Sequence, residues 1–204
     1  DVSHELRTPM SVIMAQCEYS LEQSRTQEEY ETALQVIQRQ SWKLSRLVDD
    51  MLRFTRLERK SDHFTKEVID FSKLVSSVCE DMEPFKENGI ILTATVEDEI
   101  FVLGNQELLT RLLSNLIGNA YRYGRENGNI QVTLTGNQRN AVLSVCDDGI
   151  GIAPEDQNKI FHRFYQVDPS RAGNGTGLGL SMVQEIAHFH DSTISVDSEP
   201  GKGS

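Results

Sequence analysis

Apolar residues in the first sixty positions recur at helical spacing. Leu6, Met10, Ile13, Cys17 and Leu21 step by threes and fours. After a polar stretch around Ser24 to Glu29 the pattern resumes as Tyr30, Leu34, Ile37, Leu44, Val48 and Met51, with Ser41 in one slot. A second row, Ala33, Leu47 and Phe54, widens the stripe, and no glycine occurs before Gly89. The spacing predicts two amphipathic helices joined by a short turn. A lone hairpin cannot cover so wide a stripe. The simplest solution is a homodimer in which two hairpins form a four-helix bundle.

Beyond residue 60 the texture changes. Residues 61–66 carry no periodicity and read as a hinge linker between a hairpin at 1–60 and a second domain at 67–204. That second part alternates strands and helices without a regular βαβ repeat. Strands are expected at 67–71, 90–96, 101–103, 129–135, 140–146 and 193–197. Helices are expected at 72–88 with Ser72 as cap, at 106–123, and at 178–189. A turn at Gly136-Asn137 closes a hairpin. The arrangement predicts an α+β two-layer sandwich with helices on one face of a mixed sheet.

Composition narrows the function. With 38% hydrophobic and 25% charged residues the chain is globular, and its formal net charge of −11 argues against nucleic acid as the main ligand. Cys17, Cys79 and Cys146 lack metal-ligand spacing and read as small buried apolar residues in a reducing compartment. No apolar run approaches the ~18 residues of a membrane span. The chain starts at Asp1 and stops at Gly201-Lys202-Gly203-Ser204, which reads as a cytoplasmic piece of a longer protein. Any membrane attachment is expected only through upstream segments, and a final strand of the sandwich is expected beyond the end.

Four blocks carry candidate chemistry. In Ser3-His4-Glu5-Leu6-Arg7-Thr8-Pro9, Glu5 can fix the tautomer of His4 and leave one ring nitrogen as a neutral nucleophile. Thr8 lies one turn on, where its hydroxyl can orient a water. Pro9 removes the N–H that would bond the Glu5 carbonyl, at a cost of ~3 kcal/mol in a helix interior, so its placement suggests a use. In the second block, Asn115 and Asn119 share a face of a leucine-rich helix. Asn119 offers an oxygen to Mg²⁺, while Arg122 and Tyr123 follow to reach phosphate and to stack on a base. In Asp147-Asp148-Gly149-Ile150-Gly151, Asp147 ends a strand where a carboxylate can accept the exocyclic amine of adenine. Gly149 and Gly151 let the backbone come close. In Gly175-Thr176-Gly177-Leu178-Gly179-Leu180, glycines lead into a helix whose N-terminal amides favour phosphate, and the glycines upstream suit a mobile flap. No lysine follows the last glycine, so this is not a Walker A loop. Phe161 and Phe164 are read as packing that anchors the flap, and Arg163 as a contact for the terminal phosphate.

In combination and order these blocks resemble the sensor histidine kinases of two-component signalling, over nearly the whole chain. Ser3–Pro9 is similar to that family's phosphoacceptor box and Asn115–Tyr123 to its asparagine box. Asp147–Gly151 and Gly175–Leu180 are similar to its glycine boxes, and Phe161–Phe164 to its phenylalanine box. The resemblance implies a dimerising helical hairpin followed by an ATP-binding sandwich related to the Hsp90, gyrase and MutL ATPases. It implies ATP and Mg²⁺ as ligands, His4 as the phosphorylated residue and Glu5 as its general base. It further implies Thr8 as the aid to dephosphorylation, Asn119 as metal ligand, Asp147 as adenine acceptor, and a response-regulator receiver domain as partner. The alternative is a nucleotide-gated clamp ATPase that modifies no histidine. Those ATPases place a water-activating glutamate four residues before the metal asparagine, where this chain has Asn115, and an amide is no general base.

Overall fold

The structure, a computed structural model, describes residues 2–58, 64–83, 89–137, 140–167 and 176–204. Two long helices come first, α1 (Val2–Glu22) and α2 (Gln27–Glu58), packed against each other as a hairpin. The turn between them is held by side chains. Thr26 and Glu29 form a capping box: the Thr26 N–H donates to Glu29 Oε2 at 2.8 Å and the Glu29 N–H to Thr26 Oγ1 at 3.3 Å. Tyr19 reaches the same carboxylate from α1, and the Arg25 guanidinium stacks on the Tyr19 ring at 3.7 Å. Helix α1 runs through Pro9, which is buried. Part of the expected stripe remains uncovered in one chain: Met10, Leu21, Leu34 and Val48 are exposed, with Met14 and Leu52 beside them, whereas the second row, Ala33, Leu47 and Phe54, is buried.

The second part begins with β1 (Glu67–Asp70) and α3 (Phe71–Met82). Strands β2 (Ile91–Val96) and β3 (Phe101–Gly104) lead to α4 (Gln106–Tyr123). The hairpin β4 (Asn129–Gly136) and β5 (Ala141–Asp147) follows, then the one-turn α5 (Pro154–Gln157) and α6 (Gly179–Phe189). Strands β1 and β3 pair antiparallel as a separate ribbon. The main sheet has the order β2-β4-β5, parallel then antiparallel, and so is mixed. Val75, Leu113, Ile117, Ile130, Val132 and Leu134 are fully buried between this sheet and helices α3 and α4. A smaller apolar cluster joins Phe54 and Leu57 of α2 to Leu108, Met182 and Ile186. The architecture is the expected one: a helical hairpin followed by a two-layer α+β sandwich.

Several local expectations are corrected. Asp70, not Ser72, caps α3, accepting from the Lys73 N–H. Ser72 is buried instead, donating to the Glu97 carbonyl at 2.6 Å and accepting from the Ile100 N–H at 3.0 Å, which ties α3 to the β2–β3 turn. The same helix ends at Met82 rather than residue 88, and 84–88 lie outside the described residues. Residues 193–197 form no strand and have no ladder partner. The Ser204 N–H and carbonyl pair instead with those of Asp147 at 3.2 and 2.8 Å, at the end of β5. The 193–197 segment therefore stands off from β5, and both line one continuous gap. Cys17 and Cys146 are exposed, and only Cys79 is buried. Of the expected hinge, residues 61–63 lie outside the described residues.

Candidate nucleotide and phosphoacceptor site

A cleft of about 1200 Å³ opens along α4 and runs on into the gap between β5 and residues 193–197. Asn105 caps this helix by accepting from the Leu108 N–H. One face, Leu109, Leu113, Ile117 and Ala120, is buried in the core. The helical period thus presents Asn115, Asn119, Arg122 and Tyr123 to the cleft. Asn115 Nδ2 donates to the Arg111 carbonyl at 3.0 Å, so that amide is already engaged with its own helix.

Opposite lies the turn after β5. Asp147 Oδ1 accepts from the Gly149 N–H at 2.8 Å, and the Ile150 N–H donates to the Tyr123 carbonyl at 3.1 Å. That second bond presses the turn onto the end of α4. A Cβ on Gly149 would strike the Tyr123 carbonyl, so the close approach excludes a side chain there. Burial pushes the Asp147 carboxyl up from the ordinary carboxylate range, with the Gly149 N–H opposing it and the neighbouring Asp148 adding to it. A half-buried carboxylate in that state gains from a donor such as an amine. Asp148 turns away, and its Oδ2 accepts from the Asn129 N–H at 3.0 Å. Ile150, Gly151, Ile152, Ile160 and Phe161 supply apolar walls beside Asp147.

At the other end, Thr176, Gly177, Gly179 and Leu180 line the cleft at the start of α6. Gly177 has a φ of +66°, which glycine adopts without strain, and its carbonyl accepts from the Phe164 N–H at 2.8 Å. Phe164 thus holds Gly177, at the described end of that glycine-rich segment, through its backbone. Leu178 is buried as core rather than facing the cleft. Gly149 is not among the lining residues, and Gly175 lies outside the described residues with the rest of 168–175. Arg163 departs from its expected place: its guanidinium stacks over the Phe54 ring of α2 at 4.0 Å.

His4, Glu5 and Thr8 stand on α1 and do not line the cleft. The His4 side chain is exposed, and the Thr8 hydroxyl donates to the His4 carbonyl at 3.1 Å. What sequence reasoning missed is a wall of α2: Arg46, Asp49 and Asp50 also line the cleft. Asp50 receives the Arg111 guanidinium in an ion pair and the Thr176 hydroxyl at 3.4 Å. No signal separates this aspartate from the other charged positions of α2, because the contact is made by residues more than sixty positions away.

The residues fit a magnesium nucleotide. Hard oxygen donors on Asn119, a carboxyl of raised proton affinity on Asp147 and a helix N-terminus edged by Thr176 and Gly177 share one cleft. Residues 1–60 match the profile "His Kinase A (phospho-acceptor) domain", and residues 104–204 match "Histidine kinase-, DNA gyrase B-, and HSP90-like ATPase". The sensor histidine kinase RppB of Synechocystis is 38% identical over 209 residues, covering all of this chain and 46% of RppB. The chain thus spans less than half of that relative's length. Among solved structures, the histidine kinase AdeS of Acinetobacter baumannii superimposes with a TM-score of 0.78 at 25% identity, covering 98% of this chain and 93% of that one. Full-length ShkA, solved with AMPPNP, gives 0.73 at 28% identity over 98% of this chain and 42% of that one. With a phosphoacceptor hairpin leading into this ATPase-type sandwich, the chain belongs to the sensor histidine kinases of two-component systems, as their catalytic core.

Proposed function

We propose that the chain binds ATP in the cleft along α4, autophosphorylates on His4 and passes the phosphoryl group to an aspartate of a response-regulator receiver domain. The observation that carries the nucleotide half is the convergence of Asn119, Asp147 and the α6 N-terminus on one cleft. Asp147 accepts the exocyclic amine of adenine, with Tyr123 and Ile150 against the ring. Arg122, Thr176 and the amides of Gly177 and Gly179 hold phosphates. Asn119 holds Mg²⁺, which when bound neutralises charge on the phosphates. His4, exposed on α1, attacks the γ-phosphorus in line. An N–P bond forms, the bond to the β,γ-bridging oxygen breaks, ADP leaves, and Glu5 takes the proton from the other ring nitrogen.

Because His4 lies outside the cleft, the ATP domain must move toward α1 for transfer, with residues 61–66 as hinge. Two copies pair through the uncovered hairpin stripe. Thr8 aids removal of phosphate from the partner's aspartate, once its hydroxyl leaves the His4 carbonyl. The core works on the cytoplasmic side of a larger sensor; among the described residues no helix is long and apolar enough to cross a membrane.

Incubation with γ-labelled ATP and Mg²⁺ tests this reading. Label should stay on the protein, move to an added receiver domain, and vanish in Asn119→Ala. Release of the label as free phosphate, with none bound to protein, would instead identify a clamp ATPase.

A further inference from the structure

The wall that α2 contributes to the cleft is made of charge. Asp50 joins two elements of the ATP domain at once, Arg111 of α4 and Thr176 at the flap's end. Asp49 lines the cleft beside it. Below the carboxylates, Phe54 and Leu57 are 4% and 6% exposed against Leu108, Met182 and Ile186, and Arg163 covers the Phe54 ring. The ATP domain is therefore docked on α2 in this structure, through residues that border the phosphate end of the cleft. Arg111 Nε is buried there without a hydrogen-bond partner, which leaves the guanidinium capacity for a further acceptor.

These contacts compete with the ligand. A triphosphate is an anion, and it would enter beside Asp49 and Asp50 while seeking the same donors, Thr176 and Arg111, that Asp50 now occupies. We propose that Asp50 is a latch opposed by nucleotide: its carboxylate holds the ATP domain against α2, and the terminal phosphates of a bound nucleoside triphosphate displace it and free the domain to travel toward His4. The inference rests on the nucleotide reading of the cleft. Coupling of this kind is reciprocal, so a chain unable to latch binds nucleotide more tightly. The apolar contacts of Phe54 and Leu57 give the docked state a defined position, and the charge contacts make it sensitive to phosphate.

The test uses the whole chain, with AMPPNP and Mg²⁺ as probe. Affinity is measured by calorimetry on the wild type, Asp50→Asn and Asp50→Glu. Fluorescent labels on cysteines introduced at the exposed Gln38 and Asn158, with Cys17 and Cys146 replaced by serine, report separation of α2 from the ATP domain. The expected result is roughly five- to thirtyfold tighter binding by Asp50→Asn, with Asp50→Glu close to wild type. Wild-type labels should move apart on adding AMPPNP, and Asp50→Asn labels should be apart without it. Equal affinity of wild type and Asp50→Asn overturns the latch and leaves the nucleotide site standing. Tighter binding with no change in separation overturns it too, since that is charge relief alone. Even if Asp50→Asn folds poorly, wild-type labels that do not move apart on adding AMPPNP overturn the latch. A wild type that binds no AMPPNP at all overturns the nucleotide reading itself.

Discussion

At Asp147 burial and hydrogen bonding pull in opposite directions, and burial wins. The folded carboxyl holds its proton above the ordinary carboxylate range. Wherever the folded group is still protonated and the unfolded one is not, the folded state carries more protons, and stability falls as pH rises through that window. Ionising the group is a cost in the nucleotide-free protein, offset when an amine donates to it. Asp147→Asn should leave the free protein's melting temperature unchanged or slightly higher, yet weaken ATP binding by about ten- to a hundredfold. Calorimetric titration beside thermal unfolding checks both; unchanged affinity would remove the adenine assignment. Thr8 calls for a different readout. Thr8→Ala should autophosphorylate normally while dephosphorylation of the receiver slows, and equal dephosphorylation rates would argue against the role.

Among elements, the end of α6 is fastened to the start of α4 by one imidazole. His190 Nδ1 bonds the Ile186 carbonyl at 2.7 Å, and Nε2 accepts from the Asn105 N–H at 3.0 Å. Nδ1 therefore carries the proton, and a charged ring would forfeit the second bond. Burial, with Lys66 nearby, pulls the His190 pKa down, against the Ile186 carbonyl and Asp191. The folded state then binds fewer protons than the unfolded chain below about pH 6.5, so stability is lost as pH falls through that window. His190→Gln keeps an acceptor for Asn105 but cannot titrate, and its urea midpoint should vary less between pH 7 and 5.5 than the wild type's. Helices and paired strands were legible here because their apolar period follows from local burial. The cap at Asp70 was not, since Ser72 is an equally good capping residue and only the distant partners Glu97 and Ile100 recruit it elsewhere. Segment 193–197 has the alternation of a strand, but alternation cannot say whether a neighbouring edge lies within hydrogen-bond reach.

For the whole molecule, motif residues could be read because each block is contiguous and chemically distinctive. The docking of α2 on the ATP domain could not, because Asp50, Arg111 and Thr176 meet only in three dimensions. The uncovered stripe makes a separate demand. Leu34 is 63% exposed in one chain, and Leu34→Glu would bury a charge in the proposed four-helix bundle. Sedimentation equilibrium should find a dimer for the wild type and a larger monomer fraction for the variant; identical masses would contradict pairing through this face. The claim on which all else depends is that His4 is the acceptor, and acid and alkali treatment of protein labelled from γ-labelled ATP tests it most directly. The account predicts label that acid removes and alkali spares, and that is absent from His4→Gln; label of the same stability persisting in His4→Gln would contradict it.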